Sequence, residues 1–171
     1  MSQTQVQRSF IADRSSLMTD MWRLTTNLTT SDQEPINANL ERVDDHGSLT
    51  GEGTAGLTNP GMTESSGVFT FPSTGIYHIL FGAYIWSSST TLTYAGVRID
   101  GSTDGFSSNN TELSLTYANT STAQDHSPIF ADAIYDVTNT SNNKLRFFNT
   151  TAGSDMGWYS TRVSIVKLME T

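Results

Sequence analysis

From Met21 onward the chain is a succession of short apolar runs separated by Gly, Pro, Asn and Asp. Several of the runs alternate with the period of two expected of strands. The pattern predicts strands at Trp22–Leu28, Asn39–Val43, Val68–Phe71, Ile76–Trp86, Leu92–Ile99, Glu112–Tyr117, Ile129–Val137, Lys144–Asn149 and Trp158–Leu168. Between them fall turn signals: Asp44-Asp45-His46-Gly47, Asp100-Gly101, Asp104-Gly105 and Asn142-Asn143. Residues 47–66 read as a Gly/Ser/Thr loop that contains Asn59-Pro60-Gly61. With no convincing helix among them, the strands predict an antiparallel β-sandwich or jelly roll.

One run differs from the others. In Ile76–Trp86, Tyr77, Ile79, Phe81, Ala83 and Ile85 lie on one face of a strand, and His78, Leu80, Gly82, Tyr84 and Trp86 on the other. Both faces are largely apolar. One face of a sandwich strand meets the domain core. The other needs a second cover, and a neighbouring subunit supplies it. His78, Leu80, Tyr84 and Trp86 are therefore the expected subunit interface.

Residues 1–19 are polar, with Phe10, Ile11, Leu17 and Met18 scattered among charges. Phe10, Leu17, Met18 and Met21 fall roughly on one helical face, so a short helix is one reading. The preferred one is an extended arm that orders on a partner, anchored by Phe10, Ile11, Leu17 and Met18. The organisation expected is an arm over 1–19 and one β-domain over 20–171.

Composition narrows the function. Charged residues make up only 15 % of the chain, and Ser and Thr supply the polar surface. Thr suits a pleated sheet better than Lys or Glu does. The net charge of -8 argues against nucleic acid or anionic lipid as a partner. No cysteine is present, which removes disulfides, thiolate metal sites and a cysteine nucleophile. The first residues lack the apolar run of a signal peptide, and no segment has the length of an apolar membrane span. Synthesis in a cytoplasm without export by the usual route is the expectation.

The stretch Gly67-x-Phe69-x-x-Pro72-x-x-Gly75-x-Tyr77-x-x-x-Phe81 resembles the signature of the complement-head (C-one-q-type) and tumour-necrosis-factor-like superfamily. Phe69, Phe71, Pro72, Gly75, Tyr77 and Phe81 are its core residues here. The upstream run through Trp22–Thr30, Pro35-Ile36, Leu40–Asp44 and Met62–Gly67 looks like superfamily members found in bacteriophages. The resemblance spans roughly residues 20 to 168. It implies a ten-strand jelly roll that assembles as a compact trimer, with inner sheets meeting at the three-fold axis. Two departures limit it. The last strand, Ser160–Leu168, lacks the usual Ser-x-Phe-x-Gly pattern, and no collagen-like stalk is present.

Candidate chemistry is sparse. His78 at a three-fold axis would be a pH-sensitive or metal-binding group. Its ordinary reading is a packed, hydrogen-bonded histidine. His46 and His126 sit beside Asp45 and Asp125, but no nucleophile-elbow motif makes a triad of them. Asp100–Gly105 resembles a calcium loop, and the superfamily resemblance adds that complement-head domains can bind calcium. The ligand spacing is wrong, however, and turn chemistry accounts for the residues. The Gly-rich loop 47–61 lacks the Gly-Lys-Thr/Ser end of a phosphate loop. Asn-x-Ser/Thr sites such as Asn109 and Asn139 arise by chance in so Ser/Thr-rich a chain. Tyr94, Phe106, Tyr117, Trp158 and Tyr159 can line a glycan surface, or serve as sheet core.

No catalytic residues, cofactor or metal are expected. The function expected is a non-enzymatic virion protein of a tailed bacteriophage. It would be a homotrimeric capsid decoration or cement protein, docked on a capsid or fibre protein by its arm. A receptor- or glycan-binding knob of a fibre or tail appendage, meeting a host surface glycan, is the alternative.

Overall fold

The computed structural model describes residues 18–28, 35–43, 61–87, 94–119, 125–151 and 156–171, the side chains of 151 and 156–159 excepted. Ten strands fill it: β1 Thr19–Leu24, β2 Leu40–Arg42, β3 Thr63–Ser65, β4 Val68–Thr70, β5 Gly75–Ser87, β6 Ala95–Ser102, β7 Thr111–Ala118, β8 His126–Val137, β9 Lys144–Thr151 and β10 Met156–Met169. They form two five-stranded sheets, β2-β1-β10-β5-β8 and β3-β4-β9-β6-β7. Every pairing is antiparallel. No helix occurs among the described residues. The expected all-β jelly roll of about ten strands is the observed architecture.

Several boundaries differ from the sequence reading, each for a local reason. The first strand lies earlier, at Thr19–Leu24, because β1 pairs with β10 from Thr19↔Val166 to Arg23↔Arg162. The run 47–66 is not all loop. Thr63–Ser65 forms β3 and pairs with β4 through the two-residue turn Ser66-Gly67. Both turn residues have positive φ, 53° and 80°, as a tight antiparallel hairpin requires. A three-residue strand of Thr, Glu and Ser carries no apolar alternation, so nothing in its composition announces it. Asp100-Gly101 is not a turn but part of β6, which pairs with β9 as far as Ser102↔Lys144. The Asp100 side chain is buried beside Arg98, 3.0 Å from its Nε, so the residue stays in the strand.

The core lies between the two sheets. From β5 it takes Tyr77, Ile79, Phe81, Ala83 and Ile85, none more than 3 % exposed. Val97, Ile99, Leu145 and Phe147 face them from the other sheet. Phe69 is the hub of an aromatic cluster. Its ring meets Trp22 edge-on at 5.3 Å and Phe147 edge-on at 5.1 Å. Phe81 packs on Phe147 at 5.2 Å and Phe71 on Tyr77 at 4.7 Å. The signature residues Phe69, Phe71, Tyr77 and Phe81 are thus one packed unit joining both sheets. Pro72 sits half-buried in the turn between β4 and β5, and buried Gly75 opens β5.

Polar locks tie the connecting segments to this core. Asp20, on β1, accepts from the Arg42 guanidinium at 3.0 and 3.2 Å and from the Met62 N–H at 2.7 Å. Arg42 also donates to the Met62 carbonyl and lies 5.0 Å from the Trp22 ring centroid. Lys167, on β10, is almost fully buried and reaches under the Pro72 turn. It donates to Ser73 Oγ at 2.8 Å and pairs with Glu170 at 2.7 Å. The Tyr77 hydroxyl donates to the Ser73 carbonyl at 2.9 Å.

Replacing Phe69 with Ala removes the ring on which both sheets converge. Urea denaturation is expected to show a loss of about 3–5 kcal/mol, the usual range for a buried phenylalanine. A loss below about 1 kcal/mol, no more than an average substitution gives, would mean that the cluster is not the hub described.

Candidate assembly face

Strand β5 is paired along its length with β10 on one side and β8 on the other. Its inward residues are sealed in the core. Its outward residues are not: Leu80 is 38 % exposed and Tyr84 48 %. His78 and Trp86 on the same face are partly exposed. Trp86 stacks loosely on His126, centroids 6.4 Å apart.

Neighbouring strands extend this surface. The register places Phe130 of β8 opposite Gly82, and Ile134 opposite His78. Phe130 and Ile134 are more exposed than any residue of β5, at 54 % and 59 %. On the other side Arg162 lies opposite Gly82 and Ser164 opposite Leu80. Between them is an open groove of about 370 Å³ lined by Leu80, Tyr84, Phe130, Arg162 and Ser164. Large apolar side chains grouped on a sheet face with a thin polar rim mark a contact surface.

Phe130 and Ile134 escaped the sequence reading. The signal was present, because Ile129, Ala131 and Ala133 alternate with Phe130 and Ile134 and leave apolar groups on both faces. Asp132 and Asp136 interrupt the outward row and make it look polar. These acids, with Pro128, also guard an edge strand against unwanted pairing.

His78 Nε2 stands 3.8 Å from the exposed Asp132 carboxylate across the strand pair. His46 and Asp45 lie outside the described residues. Among the described residues no three His, Cys, Asp or Glu side chains are grouped to hold a metal. Ser73 Oγ lies within hydrogen-bond distance of both the Tyr77 hydroxyl and Lys167 Nζ. Lys167 also pairs with Glu170 at 2.7 Å, so it serves as a strut for the turn.

The arm residues divide. Phe10, Ile11 and Leu17 lie outside the described residues. Met18 is 1 % exposed, and its carbonyl accepts from the Lys167 N–H at 2.8 Å. Its place is therefore the sandwich core, not the anchoring arm, because pairing of β1 with β10 draws it inside.

The loop after β6 is built on Asp104. One carboxylate oxygen accepts from Ser102 Oγ and the Ser107 N–H, the other from the N–H and Oγ of Ser108 and from the Asn109 N–H. Donors thus reach both oxygens of the carboxylate. The neighbouring turn is held to 139–143 by a Gly105 N–H bond to the Asn142 carbonyl at 2.8 Å.

No protein-family model and no curated protein matches the sequence. Solved structures do match the shape. An Eiger TNF from S. frugiperda superposes with a TM-score of 0.64 at 15 % identity, over 91 % of this chain and 95 % of that one. Murine APRIL at pH 8.0 superposes with a TM-score of 0.59 at 10 % identity, over 89 % of this chain and 99 % of that one. The fold is the tumour-necrosis-factor-like jelly roll. Within this jelly roll, the apolar face belongs to the sheet that holds both chain-terminal strands, β1 and β10.

The hydrogen bonds from the Ser108 and Ser102 hydroxyls hold the Asp104 carboxyl at about 2, below its ordinary 3.8. A depressed carboxyl stabilises the folded loop above 3.8 and ceases to do so as pH falls through about 2. Carbon-detected NMR titration is expected to place the Asp104 midpoint near 2, with the Ser107–Asn109 amides shifting in step. A midpoint near 3.8 would contradict the hydrogen bonding described.

Proposed function

We propose that this chain is a non-enzymatic structural protein of a tailed-phage virion: a homotrimeric capsid decoration protein attached by residues preceding β1. The observation that carries the reading is the outward face of β10-β5-β8. Leu80, Tyr84, Phe130 and Ile134 stand in solvent on a single chain, and three copies around an axis would bury them. Adjacent parts of one face would pair head to tail and close a ring. The -8 charge keeps such trimers soluble and apart from nucleic acid. The resemblance of residues 22–67 to phage-encoded jelly rolls supports the virion assignment, and the polar segment with Phe10, Ile11 and Leu17 supports an anchor. Because Met18 belongs to the core, the anchor ends at Leu17.

Substituting Leu80→Asp together with Phe130→Asp should convert the trimer to a monomer that keeps its β-sheet circular dichroism. A trimer that survives both changes would place the interface elsewhere. On purified phage particles, quantitative mass spectrometry is expected to find hundreds of copies, as a shell-covering protein requires. A few tens or fewer would instead indicate a fibre or tail appendage. Removing residues 1–17 should abolish rebinding to stripped particles while leaving the jelly roll folded, and undiminished rebinding would rule out the arm as anchor.

A further inference from the structure

Of the aromatic residues that the sequence marks for a sugar surface, the structure brings two together. Phe106 is covered by the Arg146 guanidinium, 4.1 Å from its ring centroid. The side chains of Trp158 and Tyr159 lie outside the described ones. Tyr94 and Tyr117 meet edge to face, centroids 5.5 Å apart and planes at 86°. They stand on the sheet opposite the assembly face, Tyr94 just before β6 and Tyr117 on β7. Neither belongs to the core: Tyr94 is 42 % exposed and Tyr117 55 %.

The corner they form is set by the backbone beneath it. Tyr117 pairs with Gly96 of β6. A Cβ on Gly96 would stand 2.8 Å from Tyr117 Cε1 and 2.9 Å from Thr150 Cγ2. Only a glycine lets the Tyr117 ring lie down on the strand, where it meets the Tyr94 ring at a right angle. The two rings wall a shallow depression of about 370 Å³. Neither phenol hydroxyl has a hydrogen-bond partner among the described residues. Rings so seated lose little freedom when a ligand binds, which is why tyrosines recur in recognition surfaces.

The chemistry of the corner selects its ligand. The nearby cation on β6, Arg98, is committed: it pairs with Asp100 at 3.0 Å and lies 4.2 Å from the Phe148 ring centroid. With Arg98 committed in this way and a chain charge of -8, an anionic ligand is disfavoured. A flat apolar wall tipped with hydroxyls fits a molecule that has one apolar face and a hydroxyl rim. A pyranose is such a molecule: its C–H face stacks on one ring, and its hydroxyls reach the phenol oxygens. We propose that Tyr94 and Tyr117 form a binding site for a neutral saccharide on the outer sheet. The site stays open whether or not the opposite sheet assembles. On a trimer it would be present three times, which raises avidity for a multivalent glycan. It does not depend on trimerisation, so either reading can fail while the other stands.

Saturation-transfer NMR on the full chain tests it, with the methyl glycosides of glucose, galactose and mannose and with N-acetylglucosamine, each at millimolar concentration. Tetramethylammonium and inorganic phosphate are the comparison ligands. At least one sugar is expected to receive saturation on its C–H face. Tyr94→Ala and Tyr117→Ala should each weaken binding about tenfold, a loss of the size expected for one ring contact. Tyr117→Phe should keep most of it and guards against misreading an unfolded alanine variant. Three results would overturn the proposal: no sugar receives saturation, binding persists in both alanine variants, or tetramethylammonium alone binds.

Discussion

Strand β5 carries apolar side chains on both faces, and the rest of the molecule is arranged around that constraint. It is paired on both edges, by β10 and β8, so neither edge is open to water. Its inward face meets Phe69, Phe147 and the other core residues of the opposite sheet, and this contact holds the two layers together. Among the described residues nothing covers Leu80 and Tyr84 on its outward face. One strand thus ties the stability of the fold to the question of assembly. The hydrophobic term that closes the sandwich also acts on the surface left outside.

Polar chemistry in the sandwich serves placement. Asp20, Arg42 and Met62 fasten the approach to β3; Lys167, Ser73 and Tyr77 fasten the turn before β5; Asp104 organises the loop after β6. Each cluster is satisfied internally, and each holds a segment that the apolar core does not itself grip. A buried charge removed from its partner is strongly destabilising, so Asp20 and Lys167 depend on the partners named here. The two sheets therefore differ in character. One offers a broad apolar face, and the other offers the aromatic corner of Tyr94 and Tyr117.

The period-two pattern made β5 legible, down to which of its residues face inward, because apolar residues on both faces leave little ambiguity of position. The Phe69–Phe81 spacing was legible for a related reason, since one turn must return the chain to its own aromatic cluster. Other parts were hidden. Thr63–Ser65 is held as a strand by its hairpin with β4, not by any apolar alternation. Asp100-Gly101 has turn composition, but pairing with β9 and the neighbouring Arg98 keep it extended. Met18 looks like one more apolar residue in a polar arm until β1 is paired with β10. Tyr94 and Tyr117 are far apart in sequence, and only the β6–β7 register brings their rings together.

The central claim is that copies of this chain cover the outward face of β5. Light scattering coupled to size exclusion on the full-length protein measures it most directly. The account requires a mass of about 56 kDa, three times the 18.7 kDa chain. A monodisperse peak at the mass of one chain, unchanged as concentration is raised, would contradict it.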